Sequence, residues 1–234
     1  MPTFICRRRN RVLSQLLSGQ FEPTEVLGML IALILGITVH EFAHAAAATW
    51  LGDSLPRQDG RLTLAPHAHL DVMGSLMFLV AGFGWGRAVR YNPYALRAGL
   101  RTGPALVALA GPVSNILLAI IFAIPARLLA LYAMTNRGVF TPGAVNPLSV
   151  AYELLTWIVL YNLILALYNL IPIFPLDGFS VLLGVLPPQM AEWYERTRQY
   201  GMFILLLLVF AGGSVLGVIL YRPVGILWRL LIGV

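Results

Sequence analysis

The 234 residues are 59% hydrophobic and only 11% charged, with a formal net charge of +6. Soluble domains hold roughly 45–50% apolar and about 25% charged residues, so these figures exclude a cytosolic globular enzyme, a disordered chain and a disulfide-framed secreted domain. All the positive charge comes from sixteen Arg and no Lys, set in short segments between apolar runs, which is the pattern of topology signals rather than of nucleic-acid binding.

In chain order, residues 1–25 read as a basic arm. Arg7, Arg8, Arg9 and Arg11 precede Val12, Leu13, Leu16 and Leu17, which share one helical face. This arm either lies on the membrane surface or is a solvated tail, and it lacks the long apolar stretch of a signal peptide. The lone Cys6 permits no internal disulfide. Val26–Gly52 is the first expected span, with Glu41 its only full charge. Asp53–Asp71 is more polar and holds the alternating, strand-like run Gly60–Leu64. Val72–Gly86 is apolar but glycine-broken. As a helix it would reach about 22 Å against a core of ~30 Å, so a re-entrant or interfacial hairpin is expected. An Arg-rich loop follows, then expected spans at Gly103–Ala126, Leu154–Leu176 and Gln199–Tyr221, with a tail from Arg222. The fold class is therefore an all-α polytopic membrane protein. About four full transmembrane helices are joined by a short re-entrant segment and a small strand-like loop. Residues 26–187 form the core and 188–234 a final helix and tail.

The chemistry concentrates in His40-Glu41-Phe42-Ala43-His44. On a helix, residues i and i+4 lie on one face, one turn apart. Two imidazoles so placed can hold one zinc ion, and the Glu beside the first can take a proton from an attacking water. Ionisable residues inside a span are costly and mark function by default. A catalytic zinc needs a third protein ligand. His67, His69 and Asp177 are the candidates, and Asp177 follows a double-proline break, Pro172 and Pro175, at the end of a span. A zinc-binding transporter or sensor without proteolysis is the competing class. It would more often carry several ligand clusters or an inverted repeat.

The motif at His40–His44 and the late stretch Asn169-Leu170-Ile171-Pro172-Ile173-Phe174-Pro175-Leu176-Asp177-Gly178 together resemble the site-2 protease family (M50) of intramembrane zinc metalloproteases. Gly111-Pro112-Val113-Ser114-Asn115 resembles the family's middle motif. Gly60–Leu64 with His69-Leu70-Asp71 is similar to its small prokaryotic members without a PDZ domain, although Ala65 stands where an Asn is usual. The resemblance implies that His40, His44 and Asp177 bind one Zn2+, that Glu41 is the general base and later acid, and that Asn169 and Asn115 bind substrate; the residues themselves leave His69 an alternative ligand. It implies a partner that is the transmembrane segment of a membrane-anchored protein, within the lipid bilayer.

Ligand geometry bears on topology. If Val72–Gly86 crossed the bilayer, the spans carrying His44 and leading to Asp177 would point oppositely; a re-entrant segment lets them end together. One end then carries Arg57, Arg61, Arg87, Arg90, Arg97, Arg101, Arg196 and Arg198. The positive-inside rule places that end, with the active site, toward the cytoplasm of a prokaryotic membrane, although the Arg7–Arg11 cluster counts against it.

Overall fold

The structure, a computed structural model, describes residues 23–81, 85–136 and 146–233. The basic arm and Cys6 lie outside the described residues. Among the described residues the fold is all-α, with four helices long and apolar enough to span a bilayer.

Helix α1 (Pro23–Trp50) begins on Pro23 and stops where Gly52 takes φ +114°, with the Asp53 N–H bonded back to the Ala48 carbonyl at 3.0 Å. A positive φ at that position is a glycine-type helix stop. After the single turn α2 (Leu55–Gln58), helix α3 (Val72–Ala81) starts on Asp71, whose Oδ1 accepts the Gly74 N–H at 2.8 Å. The chain then comes back to where it left. Leu70 and Gly86 form an antiparallel bridge, and the Arg87 N–H donates to the His69 carbonyl at 2.7 Å. A Cβ on Gly74 would sit 2.1 Å from the Trp85 carbonyl. Only glycine lets the two limbs approach so closely.

The expected strand at Gly60–Leu64 is absent; the only pairing of that kind among the described residues is the Leu70–Gly86 bridge. The alternation misled because Arg61 turns inward. It is 6% exposed, and its guanidinium donates to the Ala68, Arg87 and Ala88 carbonyls. Gly60 takes φ +67°, and the Arg61 N–H returns to the Pro56 carbonyl, so the segment is a turn.

Helix α4 (Thr102–Thr135) runs well past the expected end at Ala126. Helix α5 (Pro147–Asn169) starts seven residues before the expected Leu154, capped by the Asn146 side chain on the Leu148 N–H. Glu153 is accommodated inside it because the Thr24 hydroxyl donates to its carboxylate at 3.0 Å. Pro172 and Pro175 then forbid helix, and α6 (Asp177–Val185) begins on Asp177 itself. Helix α7 (Pro188–Arg196) leads to α8 (Arg198–Phe210).

The expected fourth span, Gln199–Tyr221, is corrected. The helix breaks at Ala211-Gly212, and the spanning unit is Gly213–Ile232. A glycine pair at 212–213 ends the first helix, while Arg222 and Arg229 do not end the second. Arg229 bonds the Gly225 carbonyl and Arg127 bonds the Leu230 carbonyl.

Helices α1, α4 and α5 pack mutually, and α6 lies on α4. Gly28 and Gly36 let α5 approach α1: a Cβ on either would meet Trp157 or Leu165 below 2.8 Å. Small residues at such crossings are how apolar helices gain contact when lipid is equally apolar. The C-terminal end of α1 joins the N-terminal end of α4, since the Arg97 N–H bonds the Leu51 carbonyl and Gly103 lies against Leu96. Arg101 reaches the Leu183 carbonyl of α6 at 3.1 Å. These ends, with Asp177, form one pole of the molecule.

Candidate metal centre

His40 and His44 lie one turn apart on α1, with rings edge-to-face at 4.6 Å between centroids. Their Nε2 atoms are 3.0 Å apart, and they lie 3.1 Å and 3.4 Å from Asp177 Oδ2. The three residues come from segments more than 130 positions apart in sequence and offer ligand atoms within 4.8 Å of one another.

The neighbours fix the ring tautomers. His44 Nδ1 is 2.7 Å from the Val107 carbonyl, which can only accept, so Nδ1 carries the proton. Asn115 Nδ2 donates to the Gly36 carbonyl at 3.1 Å and to Asn162 Oδ1 at 2.8 Å. This turns Asn115 Oδ1 toward His40 Nδ1, at 2.6 Å, which is therefore also the protonated nitrogen. With a proton on each Nδ1, Nε2 is the atom each ring can offer to a cation, and it faces the other ring and a carboxylate oxygen. Asp177 Oδ2 is buried and accepts no formed hydrogen bond. Three such atoms converging at ~3 Å are held together by a shared proton or by a cation among them. Two imidazole nitrogens and one carboxylate oxygen, each His held by its other nitrogen, form a donor set able to hold one zinc ion.

Close packing shapes the centre. Gly111 faces it, and a Cβ there would lie 2.5 Å from His44 Nε2 and 2.6 Å from His40 Cε1. Gly178 presses against the Leu170 carbonyl, where a Cβ would stand at 2.2 Å. That contact turns Asp177 back toward α1. Glu41 is 9% exposed, and its Oε1 faces the Gly86 backbone, where an added Cβ would be 3.0 Å away.

A second set of contacts braces the Asp177 turn. Phe179 is 1% exposed and stacks on Tyr194 at 4.6 Å, and Arg198 lies 4.9 Å over the Phe179 ring. The Tyr194 hydroxyl donates to the Pro172 carbonyl at 2.7 Å. Burial pushes the Tyr194 phenol up to about 12, so it remains a donor through neutral pH.

His69 and His67 lie outside the cluster. His69 is fully buried with Nε2 on the Thr63 carbonyl at 2.7 Å, and His67 is exposed. Asn169 is half-buried, its amide donating to the Leu165 carbonyl at 3.0 Å. Asn115 is fully buried, with both amide ends engaged by protein. Asn162, Val107 and Tyr194 were not singled out in the sequence. Asn162 alone gave a signal, an amide in the middle of an apolar span. Among the described residues the His–His–Asp set is the one cluster of three or more such side chains able to hold a metal.

A sequence model of peptidase family M50 matches residues 28–212. The chain belongs to this family. It is 38% identical over 180 residues to "Putative zinc metalloprotease YwhC" of Bacillus subtilis (strain 168), covering 77% of this chain and 78% of that one. It is 32% identical over 202 residues to "Putative zinc metalloprotease Rip2" of Mycobacterium tuberculosis (strain H37Rv), covering 81% and 71%. No solved structure matches. Family M50 membership agrees with the resemblance drawn from the two motifs.

Proposed function

We propose that this chain is an intramembrane zinc metalloprotease that hydrolyses peptide bonds in or near the transmembrane segments of membrane-anchored proteins. The observation that carries the reading is the convergence of two Nε2 atoms and a carboxylate oxygen at 3.0–3.4 Å beside Glu41, on a helix long and apolar enough to span a bilayer.

His40, His44 and Asp177 would hold one zinc ion per chain. Zinc bound there supplies Lewis acidity toward the scissile carbonyl and the attacking water. Glu41 takes the water proton and later delivers it to the leaving amine. Asn115 holds the His40 ring in the tautomer that frees Nε2, and the Val107 carbonyl does the same for His44. Asn115 is thereby a positioning residue; Asn169, half-buried at the end of α5, is the amide left to hold a substrate backbone. The return of the chain from Leu70 to Gly86 supports a re-entrant α3. The Arg-rich pole supports an active site on the cytoplasmic side of a prokaryotic membrane.

Glu41→Gln keeps one zinc per chain and lowers cleavage of single-span peptides by about 10²–10⁴-fold. Wild-type turnover by that variant defeats the assigned role. Asp177→Ala lowers zinc stoichiometry by metal analysis, and chelation abolishes cleavage until zinc is restored.

A further inference from the structure

A cavity of about 370 Å³ opens at the Arg-rich pole, lined by Asp59, Arg61, Ala68, Arg87, Ala88 and Arg90. Three guanidinium groups face one carboxylate there. Asp59 is taken by Arg90, in a two-pronged pair at 3.0 and 3.2 Å. Arg61 is spent on the Ala68, Arg87 and Ala88 carbonyls. Arg87 makes no ion pair among the described residues, and its side chain is exposed. The cavity therefore keeps a positive excess with one uncommitted guanidinium.

Its position relates it to the metal centre. Arg87 and Ala88 supply one wall, and Gly86, the residue before them in the chain, is the one against Glu41 Oε1. An occupant of the cavity is thus held one residue along from the backbone that borders Glu41. Resting on the protease reading above, we infer that this cavity is a specificity subsite for an acidic side chain, Asp or Glu, in the substrate flank that leaves the bilayer at the active-site end.

The charge logic discriminates. Ordinary transmembrane segments carry Lys or Arg on their cytoplasmic flank, and those flanks meet a like-charged wall here. An acidic flank pairs with Arg87 in a partly enclosed site, where attraction is screened less than on an open surface. Such a pocket selects a minority of membrane proteins.

The test uses the zinc-loaded full chain in neutral-lipid vesicles and in a parallel series with a rising fraction of anionic lipid. Single-span peptides differ only in a Glu, Gln or Lys at successive positions of that flank. Wild type is expected to cleave the best-placed Glu peptide about two- to fivefold faster, by kcat/KM, than its Gln counterpart, with the Lys peptide slower still. Added salt is expected to compress the ratio. Arg87→Glu is expected to invert the Glu-to-Lys ratio, and Arg87→Gln to flatten it. Both ratios are internal to one preparation and independent of the folded fraction. Equal cleavage of all flanks by wild type overturns the subsite. So does a rate that follows the fraction of anionic lipid and loses that dependence in Arg87→Glu, which assigns the cavity to lipid headgroups. Cleavage of no peptide by chains carrying one zinc each removes the protease reading and the subsite with it.

Discussion

Each ring at the metal centre is positioned by a group that reacts with nothing. The His40 imidazole rests on Asn115, Asn115 on Asn162, and Asn162 on the Ile158 carbonyl at 2.8 Å. Asn115 and Asn162 are fully buried, on different helices. Removing Asn162 takes one of the two acceptors of the Asn115 amide and leaves the Gly36 carbonyl as the other, so one buried N–H goes unpaired at about 1–3 kcal/mol. It also frees the Asn115 amide to rotate and release the His40 tautomer. Asn162→Ala is therefore expected to weaken zinc binding about 10–100-fold, measured by competition with a chromophoric chelator. The double variant with Asn115→Ala should be less damaging than the sum of the singles, because both act on one chain of bonds. Additive losses would show that Asn162 supports only the packing of α5. The same reasoning applies at the Asp177 turn. Tyr194→Phe keeps the stack on Phe179 but deletes the bond to the Pro172 carbonyl. A fall in zinc affinity with unchanged thermal unfolding is expected, and unchanged affinity would leave Tyr194 a packing residue.

At the scale of elements, the glycines decide how near the helices come. Gly111 lies where α4 meets the two imidazoles, so Gly111→Ala drives a methyl into His44 Nε2. That variant should lose bound zinc. Gly217→Ala meets nothing within 4 Å and should be neutral or more stable by about 0.5–1 kcal/mol, since glycine is the poorer residue inside a helix. Equal zinc content in the two variants would mean that α4 can retreat without cost. The elements also show what the sequence could carry. The pairing of His40 with His44 was legible because metal spacing on a helix is a local property, whereas Asp177 stood beside His67 and His69 as one of three candidates and only the family resemblance favoured it. Span boundaries were legible only where charge and burial agree. Glu153 drew the third boundary too late because its Thr24 partner is far away in sequence. The burial of Arg61, read only as part of an alternating run and of the Arg-rich end, was not legible because the three carbonyls it binds are contributed by two other segments. Tertiary partners that neutralise a polar group are invisible to any scan of one segment.

The whole molecule functions only if α1 and α5 end at the same pole, and α3 determines whether they do. The contact of Leu70 with Gly86 and of Gly74 with Trp85 brings the chain back after ten helical residues, so Gln58 before the segment and Tyr94 after it belong on one side. Asn136, at the far end of α4, belongs on the other. Cys6 is the sole thiol of the chain, so a Cys6→Ala background permits single probes at Gln58→Cys, Tyr94→Cys and Asn136→Cys. A membrane-impermeant maleimide should label the first two only in inside-out vesicles and the third only in right-side-out ones. Labelling of Gln58→Cys and Tyr94→Cys from opposite faces would mean that residues 71–86 cross, which would set α1 and α5 antiparallel to the arrangement their shared ligands require. Labelling of both from the outer face would preserve the return but invert the molecule, and the Arg-rich pole with its metal centre would then face outward against the charge rule.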